Sequence, residues 1–346
     1  MFNKRKSIIL TLILLSSISS LEKVCAETAE DFYRGQSISM YVGSGVGGGY
    51  DAVARVVSRN LSKHIPGRPN IIVKNMPGAG GLTNANYMYS VAPRDGLSIA
   101  APFNTALLLP IFKDPIAKFD PREFTWIGST DKQQGVCVTW NTSSVKTLQD
   151  AKLKTVLTGT TGLNATPGTF PFLLNTVLDT KFRIIGGYQT SELRLALERG
   201  EIESICGLAI QTHLAVNAHW FRDKLVNELV QFGLTKHRAL PNVPLALELM
   251  KNDDDRKLLE FIMIPHEFGR PFIAPPGIAG EKRDALRAAF SKMIIDQDFL
   301  TESERSQQFV DPLTGAEIHE LLKRAYDTPQ AIIDKATAIL RGPEPG

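Results

Sequence analysis

The chain is poor in the groups that mark most catalytic and metal-binding proteins. Its three cysteines, Cys25, Cys137 and Cys206, form no C-x-x-C pair, which excludes a thioredoxin-like redox motif. Its six histidines form no H-E-x-x-H and no other paired-ligand spacing. No G-x-S-x-G is present, so there is no hydrolase-type nucleophile elbow. Asp253-Asp254-Asp255 lacks the alternating spacing of an EF-hand loop and reads as a solvated turn. Trp126, Trp140 and Trp220 read as core residues. A net charge of +3 over 346 residues is no nucleic-acid footprint. With 43% hydrophobic and 22% charged residues, the composition is that of a globular protein and excludes disorder, collagen and coiled coil. Neither a cofactor, a metal nor a nucleic-acid partner is expected, and the length suits about two domains.

The N-terminus reads as an export signal. Lys4, Arg5 and Lys6 precede an apolar run over 7–19, the length of a signal h-region and too short to span ~30 Å of hydrocarbon. Val24-Cys25-Ala26 offers small residues for cleavage near Ala26. Glu22-Lys23-Val24 lacks the small apolar residues that lipid attachment at Cys25 would need. Removing 1–26 leaves 35 basic and 35 acidic residues, so any anion must be held by local groups and not by a global field. Of the two cysteines that remain, the sequence cannot place Cys137 within bonding distance of Cys206. Two buried free thiols are the reading taken, with a disulfide as the alternative in an exported chain.

Beyond the signal, strand-like and helix-like segments alternate, the mark of an α/β fold with parallel strands. Ser37–Val42 reads as a strand, and Gly43 to Tyr50 as a glycine-rich loop. Asp51 reads as the cap of a helix carrying Val53, Val56, Val57, Leu61 and Ile65 at helical spacing. Further strands are expected near 70–74, 97–101, 154–158, 182–185, 202–206, 225–232 and 270–274. One long helix is expected over Ala316–Leu340.

Gly43-Ser44-Gly45-Val46-Gly47-Gly48 matches G-x-G-x-x-G between a strand and a helix. A dinucleotide site is disfavoured: Gly49 and Tyr50 intervene before the helix, and the next strand ends in Lys74-Asn75-Met76-Pro77 with no acid for a ribose. The simpler chemistry of the loop survives. Glycines let backbone N–H groups approach a ligand, and a helix start attracts carboxylates. A tight turn alone would not need so many glycines. Gly159-Thr160-Thr161-Gly162 follows another expected strand and offers hydroxyls and N–H groups, and Gly186-Gly187-Tyr188 follows the next. Ligands in open α/β sheets bind at such strand ends. Pro77-Gly78-Ala79-Gly80-Gly81 reads as close packing at a helix start, and Arg55 as a charge tied to a neighbouring loop.

Together, Tyr41-Val42-Gly43-Ser44-Gly45-Val46-Gly47-Gly48-Gly49-Tyr50-Asp51, Asn75-Met76-Pro77-Gly78-Ala79-Gly80-Gly81 and Ala92-Pro93-Arg94-Asp95-Gly96 resemble the Bug family. So do Leu195-Ala196-Leu197-Glu198-Arg199-Gly200-Glu201-Ile202 and Pro271-Phe272-Ile273-Ala274-Pro275-Pro276-Gly277. These are periplasmic substrate-binding receptors of tripartite tricarboxylate transporters. The resemblance implies a type II periplasmic-binding fold, with two α/β lobes joined by crossing strands. It implies lobe I over 27–130 and 270–346, and lobe II over 131–269. It implies a monomer, not an enzyme, that passes a small organic carboxylate to integral membrane permease subunits. The rival readings are an exported enzyme acting on a small acid and the ligand-binding subunit of a sensor. Carried onto this chain, the first cradle is Ser44, Gly45, Gly47, Gly48, Gly49, Tyr50 and Asp51. The second is Thr158, Gly159, Thr160 and Thr161, with Tyr188, Cys206 and Asn104 as further candidates. The chain departs from the family's pattern in its extended glycine loop and in Leu163-Asn164, where many members have a histidine.

Overall fold

A computed structural model describes residues 28–341 except Asn164 and Gln189. The export signal and its cleavage site lie outside the described residues.

A short helix, α1 (Ala29–Tyr33), leads into β1 (Ser37–Val42), whose Ile38, Met40 and Val42 are buried. Next come α2 (Gly49–His64), β2 (Asn70–Asn75), α3 (Leu82–Ser90), β3 (Ser98–Ala101) and β4 (Thr125–Ser129). β1 pairs in parallel with β2 and β3. The second set is β5 (Gly135–Trp140), α4 (Leu148–Leu153), β6 (Val156–Gly159), α5 (Thr166–Leu178), β7 (Phe182–Ile185), α6 (Thr190–Glu198), β8 (Ser204–Ala209), α7 (Ile210–Val216), α8 (Ala218–Arg222) and β9 (Val226–Phe232). The chain returns through α9 (Asp253–Glu267) to β10 (Pro271–Ala274), then α10 (Gly280–Met293), α11 (Gln297–Arg305), β11 (Leu313–Thr314), α12 (Gly315–Tyr326) and α13 (Gln330–Arg341).

The strands form two mixed sheets, ordered β11-β4-β10-β3-β1-β2 and β7-β6-β8-β5-β9. β10 runs antiparallel between β3 and β4, so the returning chain is stitched into the middle of the first sheet. The chain therefore crosses between sheets twice, over 130–134 and again over 233–270. The last helix, α13, packs on α9 and α5, between the returning crossing and the second sheet's helices.

The helical stripe read from α2 is the buried one: Val53, Val56, Val57, Leu61 and Ile65 are each at most 5% exposed. Three expectations are corrected. Gly48, not Asp51, caps α2, and Asp51 sits in its first turn. Asp253-Asp254-Asp255 is the first turn of α9, where Asn252 accepts the Asp255 N–H at 2.8 Å and the carboxylates complement the helix dipole. The single C-terminal helix is two, broken before Pro329, whose ring removes an N–H. Trp126 and Trp220 are core residues, and Trp140 is only partly buried.

Candidate functional site

The glycine loop leaves the C-terminal end of β1, where the Gly43 N–H donates to the Ala101 carbonyl at 3.0 Å. Asp51 holds the loop from below. Its carboxylate accepts from the Gly47 N–H at 2.9 Å, from Asn75 Nδ2 at 2.8 Å and from Arg55 Nε at 3.0 Å. Asn75 also reaches the Ser44 carbonyl at 2.9 Å. Burial would raise the Asp51 pKa, but the hydrogen bonds from Arg55, Gly47 and Asn75 outweigh it and hold it at about 2. Both carboxylate oxygens are thus spent within the first lobe, which makes Asp51 a support for the cradle. Arg55, read from the sequence as tied to a neighbouring loop, bonds instead to Asp51 of its own helix and to Asn75 at the end of β2, at 3.3 Å.

The glycines above it are open. A Cβ at Gly45 or Gly47 would meet nothing within 4 Å, and Gly47 has φ +80°, a conformation that favours glycine. Gly48 caps α2 without a side-chain hydrogen bond, so the first N–H groups of the helix have no cap from it. Tyr50 stands edge-on to Phe103 with ring centroids 4.6 Å apart. Its Oη donates to the Gly269 carbonyl at 2.7 Å and lies 3.0 Å from Asn104 Oδ1. Asn104, almost fully buried, donates to the Pro265 carbonyl at 2.7 Å. Tyr50 and Asn104 therefore join the first lobe's loops to the returning crossing, and burial pushes the Tyr50 phenol well above its ordinary pKa.

The sequence reading expected the crossings but missed the two charged residues on them. Asp131 on the first and Arg270 on the second form an ion pair. Asp131 is 1% exposed, and burial pushes its pKa up to about 6 although Arg270 beside it opposes the shift. Arg270 also lies 5.9 Å from the Tyr50 ring centre. These residues border a cavity of about 170 Å³ lined by Gly49 and Ala52 of α2, Gln133, the β8 end at Ala209 and Gln211, and Ser306–Phe309. The signal was a lone arginine heading Pro271–Ala274, a strand buried at every position.

The second cradle is built otherwise. Thr158 is buried, with Oγ1 donating to the Ser204 carbonyl at 3.2 Å. A Cβ at Gly159 would come within 2.7 Å of Ile202 and Leu193, so this glycine serves close packing. Thr160 is buried too; its Oγ1 donates to the Gly162 carbonyl at 2.7 Å and accepts the Gly162 N–H at 3.1 Å. Thr161 is exposed, and Tyr188 packs partly buried against the second-lobe core. Cys206 is corrected twice over. It is fully buried, and its sulfur is bonded to Cys137 across β5 and β8, so neither cysteine is a free thiol and Cys206 brings no side chain to a ligand. Among the described residues, no group of three or more His, Cys, Asp or Glu is arranged to hold a metal ion.

No family model matches the chain. It is 25% identical over 318 residues to a UPF0065 protein of Agrobacterium vitis, covering 85% of each chain. Over 90 residues it is 37% identical to a UPF0065 protein of Cupriavidus necator, a quarter of that relative's length. Among solved structures, a TctC solute-binding protein from Polaromonas superposes with a TM-score of 0.70 at 20% identity, covering 88% of this chain and 99% of that one. The periplasmic binding protein BugD superposes with a TM-score of 0.56 at 17% identity, over 89% and 97%. The chain has a Bug-type fold. MatC of Rhodopseudomonas palustris, solved with bound malate, shares that Bug-type fold at a TM-score of 0.54 and 19% identity, over 85% and 98% of the two chains. The two-lobe α/β architecture expected from the resemblance is thereby borne out.

Proposed function

We propose that the chain is an exported solute-binding receptor that captures a small organic carboxylate between its lobes and delivers it to a tripartite tricarboxylate-type permease. The observation that carries this reading is the cavity between α2, the crossings and the β8 end, where an uncapped helix start faces Arg270. Similar structures solved with malate and adipate support the ligand class. In this reading the signal is cleaved near Ala26 and the mature protein works in the periplasm as a monomer, without catalysis. Lobe I is 27–130 with the returning segment from 270, lobe II is 131–269, and α13 closes over the back of both. Of the first-lobe residues read from the sequence, Gly49 lines that cavity; the backbone of Ser44, Gly45, Gly47 and Gly48 adds contacts only as the lobes close on the ligand, with Tyr50, Asp51 and Asn104 behind them. The second-lobe wall of the cavity is Ala209 and Gln211; Gly159, Thr160, the Thr161 hydroxyl and Tyr188 do not line it and reach a ligand only as the lobes close, while Thr158 holds the strand.

A thermal-shift panel of organic acids, NAD and sugars tests it. An acid at a hundred times its Kd adds about 2.7 kcal/mol of stability, which raises the melting temperature measurably. Stabilisation by NAD alone sinks the proposal.

A further inference from the structure

We infer that Arg270 is the specificity-determining anchor of this cavity, and that its pairing with Asp131 restricts the site to acids carrying a single negative charge. The inference rests on the carboxylate reading above and narrows it.

Asp131 and Arg270 are the two charged residues among those lining the cavity. Arg270 gives Nη1 to Asp131, while its Nε is buried without a partner. Its Nη2 faces the start of α2, 3.8 Å from where a Cβ of Gly49 would stand. Nε and Nη2 form one edge of the guanidinium, the edge that takes a carboxylate through two parallel hydrogen bonds. The bare backbone of Gly49 leaves room for that carboxylate beside the helix start, which adds a favourable dipole. The remaining cavity wall is uncharged, from Ala52, Gln133, Ala209, Gln211 and Phe309.

Charge then decides the ligand class. Arg270 and Asp131 sum to zero, so the first carboxylate has a cation edge to sit on and a second has none. In a cavity of about 170 Å³ a second carboxylate would also lie close to the Asp131 side chain, which has one oxygen, Oδ1, already buried without a partner. Like charges at such range in a partly dry site cost more than a factor of ten in affinity. An acid with one carboxylate and an uncharged remainder fits; a di- or tricarboxylate does not.

The test is calorimetric titration of the full mature chain with pairs of equal carbon number: butyrate and succinate, hexanoate and adipate, o-toluate and phthalate. The expected result is that the monocarboxylate of the best-bound pair is preferred at least tenfold. Arg270→Met should lose binding at least a hundredfold. Arg270→Lys, which keeps the charge without the two-donor edge, should lose about tenfold. Asp131→Asn should shift the preference towards the dicarboxylate by tenfold or more. If Arg270→Met does not fold, the lysine and asparagine variants still decide. A dicarboxylate preference in the unaltered protein, or Arg270→Lys and Asp131→Asn affinities like the parent's, overturns the inference and leaves carboxylate capture standing. Failure of every acid to bind, with another solute class binding instead, overturns both.

Discussion

Both the Ser44–Gly48 loop after β1 and the Thr160–Gly162 loop after β6 follow a parallel strand and lead towards a helix, yet they hold their shape by different means. The first is pinned mainly from below, by Asp51, Arg55 and Asn75, with the Gly48 N–H on the Gly45 carbonyl, and leaves open space beside Gly45 and Gly47. The second is pinned from within, because the Thr160 hydroxyl closes on the Gly162 peptide. The difference runs through the lobes. The first is braced by buried charges and crossed hydrogen bonds. The second is braced by a disulfide, by neutral histidine and by apolar packing around Trp220. Open space beside bare glycines lets a ligand approach the first loop's backbone, whereas a loop closed on its own hydroxyl offers less.

The largest effect expected comes from removing the second lobe's brace. Cys137 and Cys206 are 69 residues apart, and closing a loop of that length is worth about 4 kcal/mol in the chain-entropy account. Replacing both with alanine should lower the unfolding free energy in urea by that order, with ligand affinity unchanged. A double variant as stable as the parent would remove the disulfide from the comparison.

Next is acid sensitivity. His213 is buried between Trp220 and Phe221 with Nε2 unpartnered, and burial holds its pKa at about 4. A neutral buried histidine stabilises fully above its unfolded pKa of 6.5 and loses that contribution as pH falls towards 4. This amounts to about 3 kcal/mol. Asp51 acts in a lower range: its depressed pKa gives stability that is complete above its unfolded value of about 4 and is lost progressively as pH falls from there to about 2. The second lobe should therefore loosen first on acidification. Hydrogen exchange at pH 7 and pH 4.5 reads this directly, and the pH dependence should flatten in His213→Gln. Earlier exchange in the first lobe would reverse the comparison.

How far these differences could be read from residues alone follows from what each element shows in one dimension. α2 carries a one-sided apolar stripe and a glycine entry, so its course and the loop before it were legible. β4 and β5 were not: Thr125–Ser129 and Val136–Thr139 are buried throughout and show no alternation to read. The crossings carry Asp131 and Arg270, 139 residues apart in sequence, and no local pattern marks such a pair. The two cradle loops looked equivalent because hydroxyls and glycines at a strand end are the same text whether they face a ligand or their own backbone.

Gly49→Val follows, as a test of the open loop. The position lies in α2 with ordinary helical backbone, and its Cβ direction points towards Arg270. Affinity for the bound acid should fall at least tenfold while the melting temperature changes little. Gly48→Val is a poorer probe, because its Cβ would sit 3.3 Å from the Gly45 carbonyl and Ser44 Oγ and so disturb the loop itself. Unchanged affinity in Gly49→Val would take the helix start out of the site.

The smallest effect separates two neighbouring threonines. In Thr160→Val the Gly162 N–H and carbonyl lose their partner in a partly buried setting, which costs about 1 kcal/mol of stability. Because that hydroxyl is committed to its own loop, affinity should stay within about threefold once the loss of folded protein is counted. Thr161→Val removes an exposed hydroxyl that braces nothing of this kind, so stability should hold while affinity drops several-fold. Chemical denaturation and titration of both variants give four numbers whose pattern decides the point. If Thr160→Val loses affinity and Thr161→Val does not, the buried hydroxyl must reorient when ligand arrives, and the second loop is a cradle that forms on binding, unlike the open first one.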